Sequence, residues 1–352
     1  MLDDFLIHVF HKGNTLEAYK VFGAHLETND HKKGVRFTVY APNARSVQVV
    51  GDFNDWDGQN HYMERYTDGG IWTLFIPGVK EFALYKYRIE TQNFATVDRA
   101  DPYAFYSELR PGTASRVYNI ERFRWADKKW LNSRTKNFDK PMNIYEVHLG
   151  SWKTNNNEWY SYSELADILI PYAKENHYTH LEFLPISEHP ADCSWGYQNT
   201  GFFSPTSRYG KASQLMELID KCHNAGIGVI LDFVPVHFAV DGYALAQYDG
   251  TYLYEYPPSD VGISEWGTCN FNHAKGETRS FIQSSANFWL DKFHFDGLRM
   301  DAISRAIYWG GDPDRGVNGY TVEFIKKMNK GLQDRHPSAM LIAEDSTSYP
   351  KI

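Results

Sequence analysis

Residues 293–302, FHFDGLRMDA, form a short apolar run that carries an arginine and an aspartate two positions apart. In a β-strand Arg299 and Asp301 point to one face, and the apolar side chains beside them point to the other. A charged pair on a buried strand face is costly unless the two groups neutralise each other or take part in chemistry. The guanidinium of Arg299 would hold Asp301 ionised at neutral pH, which suits a carboxylate nucleophile. A structural ion pair is the commoner explanation of an isolated Arg-x-Asp, so the rest of the chain has to decide.

The composition favours a large globular protein that acts on a neutral polymer. The chain has 352 residues, enough for two or three domains, and 42% of them are hydrophobic. Aromatic residues reach 16%, with 24 Tyr, 22 Phe and 10 Trp. Flat rings cover the apolar faces of sugars, although large cores also use them. The net charge of −8, from 36 basic and 44 acidic residues, argues against nucleic acid or an anionic membrane as the partner.

The cysteine pattern and the first residues favour the cytoplasm. Cys193, Cys222 and Cys269 are odd in number and widely spaced. They match neither a disulfide framework nor a zinc site, so we expect a reducing compartment. The chain does not open on a basic region followed by a long apolar run, and no stretch reaches membrane-spanning length. These features predict a soluble cytoplasmic protein.

The first third of the chain is predicted to be all-β. We interpret residues 1–33 as a partly helical lead-in and residues 34–118 as an immunoglobulin-like β-sandwich. The sandwich prediction rests on short alternating segments at 35–40, 46–50, 71–76 and 83–89. Two tryptophans of this region, Trp56 and Trp72, could stack on sugar or belong to the core. Residues 119–140 are predicted to be a linker.

After the linker, strands and helices alternate. Buried strands are predicted at 141–150, 180–186, 228–234, 295–301 and 339–344, with helices at 163–176, 213–224, 277–293 and 320–333. This rhythm indicates a parallel sheet with right-handed crossovers, either a barrel or a doubly wound sheet. No Gly-rich phosphate loop follows the first strand, and the long polar loop 238–275 favours a barrel with its site at the carboxyl ends of the strands. Residues 141–352 would then supply about five of the eight strands of a (β/α)8 TIM barrel.

The polar residues at three strand ends suggest glycoside chemistry. Asp232 lies at the end of the third strand and His237 comes just after it, Arg299 and Asp301 end the fourth, and Glu344 ends the fifth. In a glycosidase one carboxylate attacks the anomeric carbon while a second group protonates the leaving oxygen, and for retention the two stand about 5–5.5 Å apart. Neighbouring strands are about 4.8 Å apart, which suits this spacing. Taken singly, Asp232 could merely anchor Arg299, His237 could be an ordinary loop histidine, and Glu344 could cap a helix.

At these residues the chain resembles the α-amylase superfamily of glycoside hydrolases and transglycosidases. The family's signatures are similar to residues 232–238 (DFVPVHF), 297–302 (GLRMDA) and 343–347 (AEDST). The resemblance implies that Asp301 is the nucleophile and Glu344 the acid/base catalyst. It also implies that Arg299 and His237 contact the nucleophile and the sugar in the innermost subsite.

Within the superfamily the chain looks most like the glycogen branching enzymes. The run 194–210, SWGYQNTGFFSPTSRYG, is typical of that group, and residues 145–152 and 249–255 agree with it. The resemblance implies that the β-sandwich is a glycogen-binding module. It further implies cleavage of α-1,4 bonds in an α-glucan polymer such as glycogen or amylose, with transfer of the chain to a 6-hydroxyl. The expected substrate-binding residues are Tyr197, Gln198, Asp232, His237 and Arg299.

Two alternative functions stay open. A hydrolase of the same fold would use the same nucleophile and acid, with water in place of a sugar as the acceptor. A non-enzymatic protein would bind glucan through the β-sandwich alone. Only the resemblance over residues 194–210 favours transfer, because the catalytic pair serves either outcome.

The chain departs from the family pattern at two points. Many amylases have an asparagine of a calcium site where this chain has Val236, and an aliphatic side chain cannot ligate calcium, so we expect neither a metal nor a cofactor. The chain also stops at Ile352, before the family's fourth signature, which carries a third catalytic carboxylate. We therefore expect an N-terminal portion of such an enzyme, inactive or nearly so alone, with an exposed sheet edge.

Overall fold

The computed structural model describes residues 4–66, 69–135 and 139–350. Residues 1–3 of the predicted lead-in, 136–138 of the predicted linker and the last two residues of the chain lie outside this described part. The N-terminal elements are the helix α1 (Asp4–His11) and the strands β1 (Gly23–Asn29), β2 (Lys32–Tyr40), β3 (Ser46–Gly51), β4 (Glu64–Arg65), β5 (Ile71–Pro77), β6 (Leu84–Glu90), β7 (Thr96–Arg99) and β8 (Ser115–Arg116).

These strands form the two antiparallel sheets of the predicted β-sandwich. One sheet has the order β1-β2-β5-β4 and the other the order β3-β6-β7, with β8 also paired to β6. Strand β6 alternates between buried and half-buried positions, so that Tyr85, Tyr87 and Ile89 all point into the core. They pack with Phe37 of β2 and Val49 of β3, which are also fully buried. The prediction of an N-terminal all-β domain is confirmed.

The lead-in contains a strand that the sequence did not predict. Strand β1 pairs with β2 from Gly23 opposite Thr38 to Asn29 opposite Lys32. The turn between them is Asp30-His31, and both residues have positive φ. Such a turn matches the twist of a hairpin, but it lacks the Asn-Gly or Asp-Gly pair that marks most hairpins in a sequence. The sheet therefore begins inside the predicted lead-in 1–33.

The remainder of the lead-in packs on the helix Gly276–Lys292. The Ser280 hydroxyl donates a hydrogen bond of 2.8 Å to the carbonyl of Phe10, and the Gln283 side chain donates one of 2.8 Å to the carbonyl of Thr15. Phe10 is itself buried. The N-terminal helix is thus part of the fold, held by a helix some 270 residues later in the chain.

The second region alternates strands and helices, as predicted. Its helices are α2 (Lys128–Ser133), α3 (Leu149–Trp152), α4 (Tyr162–Glu175), α5 (Ala212–Asn224), α6 (Gly276–Lys292), α7 (Ile303–Ile307) and α8 (Gly319–Arg335). Its strands are β9 (Ile144–Val147), β10 (Thr154–Asn155), β11 (Glu158–Trp159), β12 (His180–Phe183), β13 (Ser187–Glu188), β14 (Gly201–Pro205), β15 (Gly228–Phe233), β16 (His237–Phe238), β17 (Cys269–Asn270), β18 (Gly297–Met300) and β19 (Met340–Ala343).

Five of these strands form one parallel sheet with the order β19-β18-β15-β12-β9. This sheet is the incomplete barrel that the alternation predicted. The strands are shorter than predicted, and the segment 141–150 is the clearest case, because β9 ends at Val147 and a helical turn follows it. Within the described residues, β9 and β19 each have a sheet neighbour on one side only.

Helix boundaries follow local chemistry. Helix α4 begins after Ser161, whose hydroxyl accepts a hydrogen bond from the Glu164 amide while the Glu164 carboxylate accepts one from the Ser161 amide at 2.8 Å. This capping box sets the start at Tyr162, one residue before the predicted Ser163. Helix α5 ends at Asn224, and Gly226 follows with φ of 79°. Glycine adopts this left-handed conformation without strain, so the helix can end here.

A buried ion cluster holds the N-terminal end of β18. The carboxylate of Asp296 accepts a hydrogen bond of 2.7 Å from the Val229 amide and lies 3.0 Å from Nε2 of His223. Nδ1 of the same imidazole lies 2.9 Å from Oδ2 of Asp127. Burial opposes protonation of the ring, but the two carboxylates outweigh it and raise the pKa of His223. The cluster secures the end of the barrel opposite the carboxyl ends of the strands.

The predicted linker is fastened to this cluster. Trp130 donates a hydrogen bond of 2.9 Å from its indole to Oδ1 of Asp296, and Arg134 reaches the same oxygen at 3.2 Å. The indole of Trp130 also stacks on the imidazole of His223. The segment between the two regions is therefore anchored to the base of the barrel. Separately, none of the helices among the described residues is long and apolar enough to cross a membrane.

Candidate active site

The parallel sheet brings the predicted site residues to one edge. Asp232 lies near the carboxyl end of β15, Arg299 near that of β18, and Glu344 directly follows β19. In the sheet register Asp232 is paired with Arg299, and Arg299 with Ile342. Because all three strands run the same way, their carboxyl ends and the following residues open onto the same side of the barrel.

The guanidinium of Arg299 is the centre of the site. Its Nη1 lies 3.0 and 2.9 Å from the two carboxyl oxygens of Asp232 and 3.0 Å from Oδ1 of Asp301. Its Nη2 lies 3.2 Å from Oε1 of Glu344. Burial opposes the positive charge, but the surrounding acidic groups outweigh it and raise the pKa of Arg299 further. One planar cation thus orients three carboxyl groups at once, which a lysine could not do.

Asp232 lies behind this arginine, where it can hold it in place. Its side chain is fully buried, and Oδ2 accepts a hydrogen bond of 2.6 Å from the hydroxyl of Tyr197. Burial raises the pKa of Asp232 to about 7, although hydrogen bonds from Tyr197 and Arg299 act in the opposite direction. These contacts match the alternative in which Asp232 anchors Arg299. Direct contact between Asp232 and a substrate stays a prediction.

The two predicted catalytic carboxyls differ in exposure. The side chain of Asp301 is 12% exposed, whereas that of Glu344 is 47% exposed. Oε2 of Glu344 accepts a hydrogen bond of 2.7 Å from the amide of Ala302, which has a left-handed φ of 53°. The backbone turn after Asp301 therefore directs the Ala302 amide toward the carboxylate of Glu344.

His237 completes the group on the other side of Asp301. Its Nε2 lies 3.7 Å from Oδ2 of Asp301, which is an ion-pair distance but too long for a hydrogen bond. Its Nδ1 is buried and has no hydrogen-bond partner among the described residues. Gln198, the last of the predicted residues, donates a hydrogen bond of 3.3 Å to the carbonyl of Trp266.

These side chains surround a cavity of about 680 Å³. The sequence-predicted residues that line it are Tyr197, Gln198, His237, Arg299, Asp301 and Glu344. Three lining residues that the sequence analysis did not single out are Glu265, Trp266 and Arg305. The sequence offered only weak indications that these three residues belong to the site. Glu265 and Trp266 lie in the long polar loop 238–275, and Arg305 follows Asp301 by four positions. Ion pairing between Glu265 and Arg305 becomes visible only in the folded chain.

The chemistry of this cavity follows from its charges. Two carboxyl groups share one arginine beside an imidazole and a phenol, an arrangement suited to attack on an acetal carbon with proton transfer to its oxygen. Among the described residues no three histidine, cysteine, aspartate or glutamate side chains are grouped so as to hold a metal ion. The expectation that the protein uses no metal or cofactor stays a prediction.

Comparison with protein families identifies two domains in this chain. Residues 21–104 match carbohydrate-binding module 48, the isoamylase N-terminal domain. Residues 169–248 match the catalytic domain of alpha amylase. The first match begins near β1 rather than at position 34, in agreement with the extra strand.

Curated relatives are similar over nearly all of this chain. The 1,4-alpha-glucan branching enzyme GlgB of Bacillus subtilis (strain 168) is 47% identical over 350 residues, covering 98% of this chain and 56% of the relative. The GlgB of Geobacillus stearothermophilus is 46% identical over 353 residues, covering 99% of this chain and 55% of the relative. The chain therefore spans about half the length of the curated relatives it matches.

Solved structures agree in fold at low sequence identity. The apo pullulanase of Paenibacillus barengoltzii superposes with a TM-score of 0.73 at 20% identity, covering 92% of this chain and 52% of that one. The pullulanase of Bacillus acidopullulyticus gives 0.72 at 20% identity, covering 93% and 42%. At this identity the likeness concerns the fold alone. Over its two matched domains the chain is similar to the α-amylase superfamily, and over nearly its whole length it is similar to the 1,4-alpha-glucan branching enzymes.

Proposed function

We propose that this chain carries the nucleophile and the acid/base catalyst of a glucan-branching reaction. The reaction cleaves an α-1,4 bond of an α-glucan and transfers the chain to a 6-hydroxyl, forming an α-1,6 branch with retention. The observation that carries the proposal is the single guanidinium of Arg299 in contact with both Asp301 and Glu344 at the wall of one cavity.

In the first step Asp301 attacks the anomeric carbon. A bond forms between this carbon and a carboxyl oxygen of Asp301, the glycosidic C–O bond breaks, and Glu344 gives its proton to the departing oxygen. Arg299 keeps Asp301 oriented, since Nη1 contacts Oδ1 and leaves the second oxygen on the side of His237. The His237 ring is suited to hold a sugar hydroxyl next to the reacting carbon.

In the second step the acceptor sugar takes the glucan chain. Glu344 accepts the proton of the 6-hydroxyl, the resulting oxygen attacks the anomeric carbon, and the ester bond to Asp301 breaks. Oε2 of Glu344 accepts a hydrogen bond from the Ala302 amide, and Oε1 forms an ion pair with Arg299, contacts that suit a carboxylate acting as a base. To act as the acid, Glu344 must exchange one of these contacts for the glycosidic oxygen, and its 47% exposure leaves room for that.

We propose transfer to a sugar rather than hydrolysis because the relatives that are 46–47% identical to this chain over nearly its whole length are named branching enzymes. The β-sandwich, which matches a carbohydrate-binding module, would hold glycogen or amylose near the cavity. Nucleic acid and membranes are not proposed as partners, in keeping with the net charge of −8. A cytoplasmic location suits the three free thiols of Cys193, Cys222 and Cys269.

The decisive experiment is iodine staining of amylose together with counting of α-1,6 branches after enzymatic debranching. It should be run on this chain alone and on this chain joined to the C-terminal part of the B. subtilis relative that it does not match. We expect branching from the joined protein and little or none from the chain alone. Production of free reducing ends without branches would favour the hydrolase instead.

The catalytic roles are tested separately on the joined protein with an activated α-glucosyl fluoride that forms a slowly hydrolysed ester, and all labelling rates are measured on this protein. Mass spectrometry should find the sugar on the peptide that contains Asp301, and Asp301→Asn should abolish labelling. Glu344→Gln should still be labelled, because fluoride leaves without a proton, but its second step should be slow. Labelling on another carboxyl group would refute the assignment of the nucleophile.

A further inference from the structure

We propose that Trp266 is a sugar-stacking platform of the active-site cavity, positioned by the ion pair between Glu265 and Arg305. The inference rests on the proposed function, because it takes an α-glucan chain as the ligand of that cavity. It adds a binding residue and its positioning pair to the site.

The indole of Trp266 lies open in the cavity beside the proposed catalytic group. Trp266 is 47% exposed, and its ring centroid is 5.2 Å from that of His237. His237 in turn faces the nucleophile Asp301 at 3.7 Å. By contrast, Trp72 is 7% exposed and Trp289 is fully buried, so these two indoles belong to the core. An open indole in a polar cavity is costly to hydrate and offers a flat face to the apolar side of a sugar ring.

The backbone around this indole is held by several hydrogen bonds. The amide of Trp266 donates one of 3.2 Å to the hydroxyl of Ser264, which is 2.6 Å from the hydroxyl of Thr268. The carbonyl of Trp266 accepts one of 3.3 Å from Gln198. A ring on such a fixed backbone loses little entropy when a ligand stacks on it.

The neighbouring residue Glu265 ties this loop to the helix that follows the nucleophile. Its carboxylate pairs with the guanidinium of Arg305 in α7, and α7 starts two residues after Asp301. Gly311 lies close against the guanidinium of Arg305, and a Cβ at that position would collide with Nη1. The ion pair thus sets how far the Trp266 loop stands from the helix beside Asp301.

A second ion pair reinforces the same connection. Arg315, from the segment after α7, contacts Asp260 of the loop at 3.0 Å. Glu265 is 51% exposed and Asp260 is 71% exposed, so dissolved salt screens both pairs. The affinity of the cavity for a neutral glucan should therefore fall as the salt concentration rises. Without these ion pairs, salt should have little effect on the binding of an uncharged ligand.

The test is fluorine NMR of the protein labelled with 5-fluorotryptophan and titrated with maltoheptaose, a linear α-1,4 glucan. Trp266→Phe identifies the Trp266 signal, and Trp56→Phe identifies the signal of a partly exposed tryptophan in the β-sandwich. We expect the Trp266 signal to shift and saturate. In Glu265→Gln the titration midpoint of that signal should rise about two- to fivefold, and its dependence on salt should weaken, because only the pair between Arg315 and Asp260 remains.

The controls separate the possible failures. Arg305→Met should reproduce the effect of Glu265→Gln, and unchanged remaining tryptophan signals show that each variant is folded. A Trp266 signal that does not move while the Trp56 signal does would overturn the platform. Equal salt dependence in wild type and Glu265→Gln would overturn the role of the ion pair. Because the titration needs no turnover, failure of the catalytic proposal would show in the labelling of Asp301 and leave this readout intact.

Discussion

The hydroxyl of Tyr197 donates a hydrogen bond of 2.6 Å to Oδ2 of Asp232, and this carboxylate in turn holds Nη1 of Arg299. Tyr197 is thus connected to Asp301 through Asp232 and Arg299. It also lines the cavity itself. This hydrogen bond connects the run 194–210, through Tyr197, to Asp232 near the end of β15, 35 positions later in the chain.

Replacement of this tyrosine tests that relationship. Tyr197→Phe removes a donor to the buried carboxylate, so the pKa of Asp232 should rise above its present value of about 7. A larger fraction of Asp232 is then protonated at pH 7, and its hold on Arg299 weakens. We expect the rate of ester formation at Asp301 to fall about tenfold at pH 7 and to recover in part at higher pH. The pH profile of labelling measures this. The exposed Tyr320→Phe is the control, and an unshifted profile in Tyr197→Phe would contradict the coupling.

Arg299→Lys should disable the site although the charge is kept. An ammonium group is a single point charge and cannot contact Asp232, Asp301 and Glu344 in the geometry of a planar fork. We expect ester formation to slow at least about a hundredfold, and unfolding free energy to fall by about 1–3 kcal/mol because a buried carboxylate loses donors. Labelling kinetics and urea unfolding measure these changes. Arg36→Lys, at a partly exposed arginine that contacts Glu27 and the ring of Phe75, should change stability by less than about 0.5 kcal/mol.

His223 should make stability depend on pH. Its pKa is raised in the folded chain by Asp127 and Asp296, so its contribution is fully present below the unfolded pKa of about 6.5 and is lost as pH rises through the folded pKa. His223→Gln should therefore destabilise the protein by about 1–3 kcal/mol at pH 6 and by less at alkaline pH. Urea unfolding at a series of pH values measures the difference between variant and wild type. A difference that does not vary with pH would show that the imidazole is neutral.

Helix α4 offers a local test of the fold. Ser161→Ala removes the cap and half of the capping box with Glu164, so unfolding free energy should fall by about 1 kcal/mol. Ser213→Ala, inside the first turn of α5 rather than at its cap, is the matched control and should have little effect. Equal losses in the two variants would contradict the assignment of the cap.

Much of the fold could be predicted because its signals are local. The apolar runs around β15, β18 and β19 and the helical periods of α5 and α8 identify these elements within a few residues. Strand β1 was missed because GAHLETN has no regular apolar alternation, and its pairing depends on a turn at Asp30 and His31 rather than on its own residues. Short edge strands such as β4 and β8 were missed for the same reason.

The sequence by itself determined the types of residue at the site and the order in which they come. Asp232, Arg299, Asp301 and Glu344 each lie at or directly after the end of a recognisable strand, and parallel strands end on one side. Only the tertiary structure decided which of them touch. It placed Asp232 behind Arg299, turned the Ala302 amide toward Glu344, and brought Glu265 and Trp266 to the cavity from a long loop. These contacts join residues 40 or more positions apart, and the energy that selects them comes from packing and charge pairing that no local pattern records.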